Sequence, residues 1–578
     1  MTAPFSTVYD DVYFSASGGL AEKRHVFLAG NGFPERFRSK RDTVIAEAGF
    51  GTGLSFLATL QMFLATTEDD QWLHFTSFEA HPLTPNAIRD ALAPWATELA
   101  PLVDELVQAL PRPFPGVHRM ILSDRVVLTL VYGDINVWLP DIEMRVDAWF
   151  LDGFTPAKNP AMWSPTLFGA IAEKSVTGAT AATYSAARVV KDGLARAGFT
   201  PEKRPGFGYK SDMLCAVRNV PGCAPLSTRR GQRVIIQGGG LAGTAAAYVL
   251  KKLGQDPVIV APAGLADQAS GNPRGLYNPR FTQDFTGTGQ FYASAFSRFH
   301  DFLRKTDPNQ TGWIANGAVH LLREQDKDAA RRAITSAWGW GERDARIIAV
   351  PETKEITGLN LDFEALWLPH AGSVCPQKIC AFYAAGIDVR PDMPNIDETD
   401  KIVVASGPGI LSMPEFSSLP LHGVRGQISY VHGNAASSRL QTNLCYGGYL
   451  SAIDADQMHV LGATFQRWRA DTVVDDADHR YVLDQLAAVM DFGWTEADIT
   501  GGRASLRLVS RDHMPVIGGY APDQIRGPNT YVTLAHGSHG LLSTHLGGWI
   551  LAEAITGISP GISRSAAQAI RPDRFNPH

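Results

Sequence analysis

The sequence has little cysteine and no strong excess of charge of either sign. Only five cysteines occur in 578 residues, their number is odd, and no two form a CxxC pair. A disulfide framework or a structural zinc site is therefore not expected, and a reducing cytoplasm is the natural location. The formal net charge of −6 argues against a general nucleic-acid coat protein but leaves room for a local basic patch.

Long apolar runs are also missing. Gly, Pro or charged residues interrupt every apolar segment before it could span a bilayer. The N-terminal sequence MTAPFSTVYDDVYF has no basic region followed by an apolar stretch, so we expect neither a secretory signal nor a membrane partner. No metal site is evident, and the oligomeric state stays open, with a monomer compatible with the sequence.

The chain is too long for one hydrophobic core. Single cores stop growing at roughly 250–300 residues, so at least two domains are expected. The segment NVPGCAPLSTRRGQ, residues 219–232, has the Pro, Gly, Ser and charge of a linker. We therefore predict one domain over residues 1–225 and a second over residues 232–578.

The first half alternates strand and helix patterns. TVIAEAGFG, LHFTSFEA, VVLTLVYGD and VDAWFLDG are strand candidates separated by helical segments. This order predicts a Rossmann-like α/β domain with a parallel sheet, in which ligands bind beyond the carboxyl ends of the strands. An acidic residue stands at each of these ends: Glu47, Glu79, Asp134 and Asp152.

A glycine-rich turn follows the first of these strands. Glu47 precedes Gly49, Gly51 and Gly53, and a helix-like segment comes next. Glycines let a backbone approach a ligand closely, while the lack of GK[ST] argues against a nucleoside triphosphate. Carboxylates suit an amino acid joined to a nucleoside, so we predict an S-adenosylmethionine pocket. Glu79 is expected at the ribose hydroxyls and Asp134 at the adenine amine, although either alone could equally cap a turn.

The second half opens with a new strand and turn, VIIQGGGLAG. Gly238, Gly240 and Gly243 form a GxGxxG pattern typical of dinucleotide binding. The acidic residue expected about 20 positions later is missing, because Ala261 and Pro262 stand there and Asp267 comes only later. Strand-like segments GAVHLL, RGQISYV, HVLGATF and TYVTLAH then predict an FAD-binding Rossmann-type domain carrying an α+β substrate domain.

Motifs in the first half resemble a known family. DVYFS, RHVFLAGNGFPERF, EAGFGTGLSFL, FLDGFTPAKNPAMW and GFGYKSDML are similar, in this order, to the N-terminal domain of the MnmC family of bifunctional tRNA 5-methylaminomethyl-2-thiouridine biosynthesis proteins. The resemblance implies a SAM-dependent methyltransferase that acts on an aminomethyl group of the tRNA wobble uridine.

That acceptor assigns roles to further residues. Asp152 would bind the amine and help to deprotonate it. We expect one group of residues to pack against the uracil ring and another to contact phosphate or ribose. These are Phe154 and Phe207 for the base, and Lys210, Arg36, Arg38 and Lys40 for the backbone. Tyr209 departs from the family, which commonly has a basic residue there.

The second half resembles the D-amino-acid oxidase and glycine oxidase superfamily and the C-terminal MnmC domain. The supporting segments are SGNPRG, CYGGYL, RDHMPVIG and LAHGSHGLLSTHLGGWILAEAI. The resemblance implies FAD, bound partly by Ser270, Asn272, Arg274, Gly275, Ser538, His539 and Gly540. The helix that starts there would stabilise negative charge on reduced flavin.

The implied oxidation removes the carboxymethyl group from 5-carboxymethylaminomethyl-uridine. Arg507 is expected to clamp the substrate carboxylate, because a guanidinium binds carboxylates bidentately. The product would be the amine that the first domain methylates. The segment 380–406 is short for a region that usually supplies several strands of the flavin domain.

Three alternatives remain at this point. The two domains could act on free metabolites such as glycine or sarcosine, without RNA. The protein could be a tRNA methyltransferase with a degenerate flavin domain. The second half could be an NAD-dependent dehydrogenase, since GxGxxG alone does not distinguish the two cofactors.

Overall fold

A computed structural model describes residues 5–6, 11–12, 18–153, 156, 158–208, 210–323, 332, 337–521 and 529–576. The chain forms two compact units. The first, called unit 1, contains Met1–Arg229 and Gly557–Arg564; unit 2 contains Arg230–Thr556 and Ser565–His578. The predicted division at 225 and 232 does not include the return of Gly557–Arg564 to unit 1.

Unit 1 is built on an eight-stranded sheet with the order β5-β6-β4-β3-β7-β8-β10-β9. A separate two-residue pair, β1 (Phe5–Ser6) and β2 (Asp11–Val12), precedes it. The sheet strands are β3 (Asp42–Ala48), β4 (Trp72–Glu79), β5 (Gly116–Leu122), β6 (Val126–Tyr132), β7 (Val146–Phe150), β8 (Ser175–Thr183), β9 (Phe199–Pro205) and β10 (Asp212–Arg218). The five central strands β6, β4, β3, β7 and β8 are parallel.

Helices cover both faces of this sheet. All residues of β3 and β6 are buried, as expected for a parallel strand between two layers. The helices are α1 (Gly19–Lys23), α2 (Glu35–Arg38), α3 (Leu54–Thr66), α4 (Pro85–Leu92), α5 (Ala96–Ala109), α6 (Ile135–Asp141), α7 (Pro165–Lys174) and α8 (Arg188–Arg196). The four strands predicted from the apolar runs are confirmed as β3, β4, β6 and β7.

The segment Gly557–Arg564 is held within unit 1 by backbone and charge contacts. Arg119 donates to the carbonyl of Ser559 at 2.7 Å, and Ser563 forms an isolated antiparallel bridge with Ile142. Arg564 forms an ion pair with Glu173 at 2.5 Å. No local sequence pattern predicts this return, because its partners lie more than 390 positions away in the chain.

Unit 2 contains a six-stranded sheet with the order β19-β12-β11-β20-β27-β26, parallel except for its last pair. Its strands are β11 (Arg233–Gln237), β12 (Asp256–Val260), β19 (Asp388–Arg390), β20 (Lys401–Val404), β26 (Val516–Gly519) and β27 (Thr530–Leu534). Helix α9 (Leu241–Lys252) follows β11 directly and packs against the helix Gly540–Thr556. The two helices approach closely, because a Cβ on Gly548 would lie 2.7 Å from the Ala245 carbonyl oxygen.

A second, mostly antiparallel sheet forms the predicted α+β part of unit 2. Its order is β16-β17-β15-β22-β23-β24-β21-β25. The strands are β15 (Ala318–Leu321), β16 (Arg346–Ile348), β17 (Ala365–Leu368), β21 (Leu421–His432), β22 (Asn443–Cys445), β23 (Tyr449–Leu450), β24 (Met458–Gly462) and β25 (Ile499–Ser510). A three-stranded sheet adds β13 (Gly275–Tyr277), β14 (Trp313–Ile314) and β18 (Gly372–Val374).

The remaining long helices of unit 2 surround these sheets. They are α10 (Gly287–Thr306), Val350–Thr357, Pro376–Ala384 and Asp476–Ala487, with the short helix Arg564–Gln568 near the end. Segments GAVHLL, RGQISYV, HVLGATF and TYVTLAH are confirmed as strands β15, β21, β24 and β27. The short segment 380–406 supplies only two strands, β19 and β20. Among the described residues, none of the helices has both the length and the apolar character needed to cross a bilayer.

Candidate active sites

The acidic residues of unit 1 lie along one edge of its sheet. Strands β6, β4, β3 and β7 are adjacent and parallel, so their carboxyl ends meet at the same edge. Asp134 follows β6, Glu79 ends β4, Glu47 lies near the end of β3, and Asp152 follows β7. The structure thus places the four predicted acids in one row, where a parallel sheet binds its ligand.

The glycine turn after β3 contacts one of these four acidic residues, Glu79. Gly49, Gly51 and Gly53 have φ values of 98°, 52° and 76°, a region that residues with a Cβ rarely occupy. Glu79 accepts the backbone N–H of Gly51 at 2.8 Å and that of His81 at 2.8 Å. Its carboxylate is therefore fixed by the same turn that would hold the methyl donor.

Asp134 has a structural partner as well. Its Oδ1 accepts the backbone N–H of Asn136 at 2.9 Å and so caps the start of α6. This is the alternative role that the sequence left open. A contact to adenine stays a prediction, carried by the position of Asp134 beside Glu79.

Glu47 is the most deeply buried acid of the row. Its side chain is completely inaccessible, Ser77 on the neighbouring strand donates to Oε2 at 2.7 Å, and Oε1 has no hydrogen-bond partner among the described residues. Burial, together with the Asp152 carboxylate, raises the pKa of Glu47 to about 8. The unsatisfied oxygen fits a ligand that brings a hydrogen-bond donor or a positive charge, as S-adenosylmethionine does.

Asp152 is already bound to a cation of the protein. Lys23, at the end of α1 and only 6% exposed, forms an ion pair with its carboxylate, and Ser55 lies 3.3 Å from the same oxygen. Sequence reasoning missed Lys23. The available signal was its position directly before the family motif RHVFLAGNGFPERF.

Helix α1 also connects this pair to the predicted base-binding residues. Glu22 binds the ammonium of Lys210 at 3.0 Å, and that ammonium lies 3.9 Å from the centre of the Tyr184 ring. Phe207 lies against α1 through Gly18, where a Cβ would meet its ring at 3.4 Å. Lys210 and Phe207 are thus brought beside the Lys23–Asp152 pair, while Phe154 lies outside the described residues.

Of the three predicted RNA-backbone contacts in residues 36–40, two are paired within the protein and one faces solvent. Arg36 donates to the carbonyl of Asp147 at 3.0 Å and to Thr180, and burial lowers its pKa. Lys40 forms an ion pair with the Asp147 carboxylate. Arg38 remains more than half exposed, with Glu35 at 4.0 Å. An RNA contact therefore stays a better-supported prediction for Arg38 than for its two neighbours.

Unit 2 contains a cavity of about 560 Å³. It runs from the glycine turn after β11 to the predicted carboxylate clamp on β25. Its lining includes predicted residues from four separate segments: Gly238 and Gly240, then Ser270, Asn272 and Gly275, then Arg507, and finally Ser538, His539 and Gly540. A single space therefore connects a dinucleotide-binding turn with an anion-binding group.

The glycine turn is shaped for close approach of a ligand. A Cβ on Gly238 would overlap the carbonyl of Ala405, and one on Gly243 would overlap the carbonyl of Gly238. The hydroxyl of Ser270 accepts the N–H of Leu241, the first residue of α9, at 3.0 Å. The glycine turn and the first residues of α9 line the cavity, so the N-terminus of α9 faces it and the residues fit the pyrophosphate of FAD.

Neither Arg274 nor Ala261, which stands where an acidic residue is expected, lines the cavity. Arg274 forms an ion pair with Asp454 at 3.0 Å and does not line the cavity, so its contact with FAD stays a prediction. Ala261, just after β12, is buried beside Gly239 and offers no carboxylate to a ribose. Asp267 and Gln268 line the cavity instead and are the nearest polar substitutes.

Arg507 lies at the far end of the cavity with no carboxylate partner among the described residues. Its guanidinium donates to the Thr464 carbonyl at 3.3 Å and lies 4.7 Å from the centre of the Phe465 ring. A Cβ on Gly426 of the paired strand β21 would overlap the guanidinium. Glycine at this position therefore makes room for Arg507, a requirement that the sequence alone did not reveal.

Two other polar side chains that line the cavity, Tyr449 and His539, are uncharged. Tyr449 lines the cavity, and burial raises its pKa to about 12. Burial lowers the pKa of His539 to about 3, so this imidazole is neutral at physiological pH. Arg507 is consequently the charged group best placed to choose an anionic substrate.

Known proteins match both halves of the chain. Family models match residues 97–219 as an S-adenosyl-L-methionine-dependent methyltransferase and residues 233–554 as an FAD dependent oxidoreductase. The tRNA 5-methylaminomethyl-2-thiouridine biosynthesis bifunctional protein MnmC of Idiomarina loihiensis is 35% identical, over 99% of this chain and 97% of that protein. The chain belongs to the MnmC family.

A second relative and one solved structure are also similar to this chain. The MnmC protein of Chromohalobacter salexigens is 34% identical, over 99% of this chain and 91% of that protein. The crystal structure of glycine oxidase from Geobacillus kaustophilus matches 56% of this chain and 95% of its own, with 17% identity and a TM-score of 0.48. As an MnmC family member, the protein is a bifunctional enzyme with a SAM-dependent methyltransferase and an FAD-dependent oxidoreductase.

Proposed function

We propose that this protein modifies the wobble uridine of tRNA in two steps. Unit 2 removes the carboxymethyl group of 5-carboxymethylaminomethyl-(2-thio)uridine, and unit 1 methylates the resulting amine. The relatives carry a tRNA-modification name, which supports the proposal, and we infer a cytoplasmic location from the same reaction. The observation that carries the proposal is the cavity that joins the glycine turn to Arg507.

The substrate of unit 2 carries an N-linked glycine, whose carboxylate needs a cationic partner. Arg507 supplies it, because its half-buried side chain lines the cavity and has no acidic partner among the described residues. FAD, when bound, takes the two electrons removed from the glycyl carbon–nitrogen bond. Water then hydrolyses the oxidised bond to glyoxylate and a primary amine.

The residues around the cavity favour this oxidation electrostatically. Neutral His539 adds no positive charge, so stabilisation of negative charge falls to the N–H groups at the start of the helix Gly540–Thr556. Gly238, Gly240 and Ser270 would hold the pyrophosphate, and Asp267 is our candidate for the ribose.

In unit 1 the protein must bind an alkylammonium group and remove a proton from it before the nitrogen can accept a methyl group. Asp152 would bind the aminomethyl group and accept a proton from it, which requires Lys23 to yield its place on the carboxylate. S-adenosylmethionine, when bound, supplies the methyl group. Glu47, Glu79, Asp134 and the glycine turn would hold this donor, and Phe207, Lys210 and Arg38 would contact the RNA.

The test uses the purified protein and tRNA that bears the carboxymethylaminomethyl group. The modified nucleoside is isolated and weighed by mass spectrometry, with and without S-adenosylmethionine. We expect the aminomethyl form without the methyl donor and the methylaminomethyl form with it. An unchanged nucleoside would refute the oxidation step, and aminomethyl-tRNA that stays unmethylated would refute the second step.

A further inference from the structure

The loop that follows β24, residues 463–470, has exposed aromatic and cationic side chains at the mouth of the unit 2 cavity. Phe465 lines the cavity, lies against Arg507 and is still 56% exposed. Trp468 is 78% exposed, the largest value among the exposed large apolar side chains of the described residues. Neither the oxidation nor cofactor binding requires an exposed tryptophan, so it needs another explanation.

The loop is held firmly in place. Gln466 and Arg425 exchange two backbone hydrogen bonds of 2.9 and 3.0 Å, and the Gln466 side chain contacts Arg425 and Asp478, each at 2.7 Å. Arg425 itself is fully buried. Phe465 precedes this anchor and lies against Arg507, and Arg467 and Trp468 form the exposed turn that follows it.

The charges of the loop are arranged to leave one cation available. Arg469 is held by Asp471 at 3.0 Å and by Asp475 at 2.6 Å. Arg467 is exposed and has no ion pair or hydrogen bond within the described part of the chain. An exposed guanidinium whose residue stands between two exposed aromatic residues in the sequence suits a partner that has both flat rings and negative charge.

We propose that Phe465, Arg467 and Trp468 form a docking platform for unpaired nucleotides next to the substrate base. Exposed bases stack on aromatic faces, and a phosphate of the same strand would meet Arg467. The platform lies beside the carboxylate clamp, so it would hold the loop of an RNA whose modified base enters the cavity. The inference rests on the proposed function, since it assumes that the substrate is part of an RNA.

The experiment uses the full-length holoenzyme without oxygen and measures how fast the substrate reduces the bound flavin. The loss of flavin absorbance reports this reduction. Two substrates are compared: an anticodon stem-loop with a 5-carboxymethylaminomethyl-uridine, and the free nucleoside. For Trp468→Ala we expect the half-saturating concentration of the stem-loop to rise about tenfold, the size of one lost base–aromatic stack. The limiting rate and the reaction with the free nucleoside should stay unchanged.

Arg467→Gln gives a second, independent measurement. Loss of one single-strand phosphate contact should lower the slope of log affinity against log salt by about 0.7. Tyr481→Ala, an exposed aromatic on the helix Asp476–Ala487 that does not line the cavity, is the matched control and should change neither quantity.

The outcomes separate this inference from the proposed function. If wild-type flavin is reduced by neither substrate, the proposed oxidation fails. If the stem-loop reduces wild type, Trp468→Ala and Tyr481→Ala with equal half-saturation, the platform does not bind RNA. A change of sedimentation in Trp468→Ala with unchanged RNA kinetics would show a protein-binding surface and would also overturn the inference.

Discussion

The two sites of the protein differ in whether their main charged residue already has a partner of opposite charge. In unit 2, Arg507 lies in a cavity and has no carboxylate partner among the described residues. In unit 1, Asp152 is already paired with Lys23, and Glu47 beside it has a strongly raised pKa. One site leaves a cation available for an anionic substrate, while the other already contains an ammonium next to the acid that would receive an amine.

This difference follows from the charge of the two proposed substrates. A buried guanidinium attracts a carboxylate directly, so a preformed open cavity is sufficient. An unpaired buried carboxylate would be costly before the amine arrives, and a lysine of the protein offsets that cost. We therefore expect substitutions in unit 2 to act mainly on substrate binding, and those in unit 1 to act on both stability and proton transfer.

The two largest expected effects come from one substitution in each unit, and the first is in unit 2. Arg507→Ala should lower kcat/KM for the oxidation on the order of 30- to 4000-fold, because removing one partner of a buried charge pair costs about 2–5 kcal/mol. The measurement is the anaerobic rate of flavin reduction. Arg507→Lys should recover part of the loss, since it keeps the charge without the bidentate geometry.

Gly426→Ala sharpens the same test, since its methyl group would displace the guanidinium without removing it. The flavin absorption spectrum serves as a control for folding and cofactor content. Arg480→Ala, an exposed surface arginine paired with Glu496, is the matched substitution. A value of kcat/KM within threefold of wild type for Arg507→Ala would contradict the clamp.

A comparable loss is expected in unit 1 from Asp152→Asn. General acid–base groups contribute roughly 10²- to 10⁴-fold, so methylation should slow by about that factor. Oxidation should continue, and the aminomethyl nucleoside should accumulate in the mass-spectrometric assay. Unimpaired methylation by Asp152→Asn would show that the amine loses its proton elsewhere.

The raised pKa of Glu47 predicts a dependence of stability on pH. A carboxyl whose pKa is about 8 in the folded protein holds its proton there between its ordinary pKa of 4.5 and 8, while the unfolded chain has lost it. Stability from this group is therefore complete below pH 4.5 and is lost as the pH rises towards 8. As the pH rises, the melting temperature of the wild type should therefore fall relative to that of Glu47→Gln.

This comparison cancels titrations that both proteins share. Wild type should become progressively less stable than Glu47→Gln between pH 5 and 8 in thermal scans of the ligand-free enzyme. A difference that is constant over this range would mean that Glu47 is ionised in the folded protein, contrary to its burial.

The smallest effect is expected at His539. Because its pKa is lowered to about 3, the imidazole does not titrate between pH 5 and 9. His539→Gln should therefore leave the shape of the pH profile of flavin reduction unchanged, although the rate itself could shift slightly with the altered packing. A lost ionisation near pH 6–7 in the variant would contradict a neutral His539.

Much of both sites could be predicted from local sequence. The strands before EAGFG, SFEA, VYGD and FLDG are buried apolar runs, and a parallel sheet necessarily brings their carboxyl ends to one edge. The GxGxxG turn and Ser270 were expected at a dinucleotide, and they line the same cavity as Arg507. Such predictions succeed because periodicity and turn chemistry act over a few residues.

Other features depend on residues that are distant in the chain. Lys23 meets Asp152 across 129 positions, Arg36 reaches Asp147 across 111, and Arg507 fits only because Gly426, diagonally across from it on β21, has no side chain. Segment Gly557–Arg564 joins unit 1 after more than 300 residues of unit 2. No pattern of neighbouring residues indicates these contacts.

The sequence by itself determined the two-enzyme organisation, the glycine turns and the edge of each sheet where ligands bind. Only the tertiary structure decided which charges are available: Arg507 and Arg467 have no acidic partner within the described residues, while Asp152, Arg36 and Lys40 are paired inside the protein. The reason is physical. Strand and turn formation depends on local residue types, but the cost of burying a charge is met by whichever distant group the fold brings beside it.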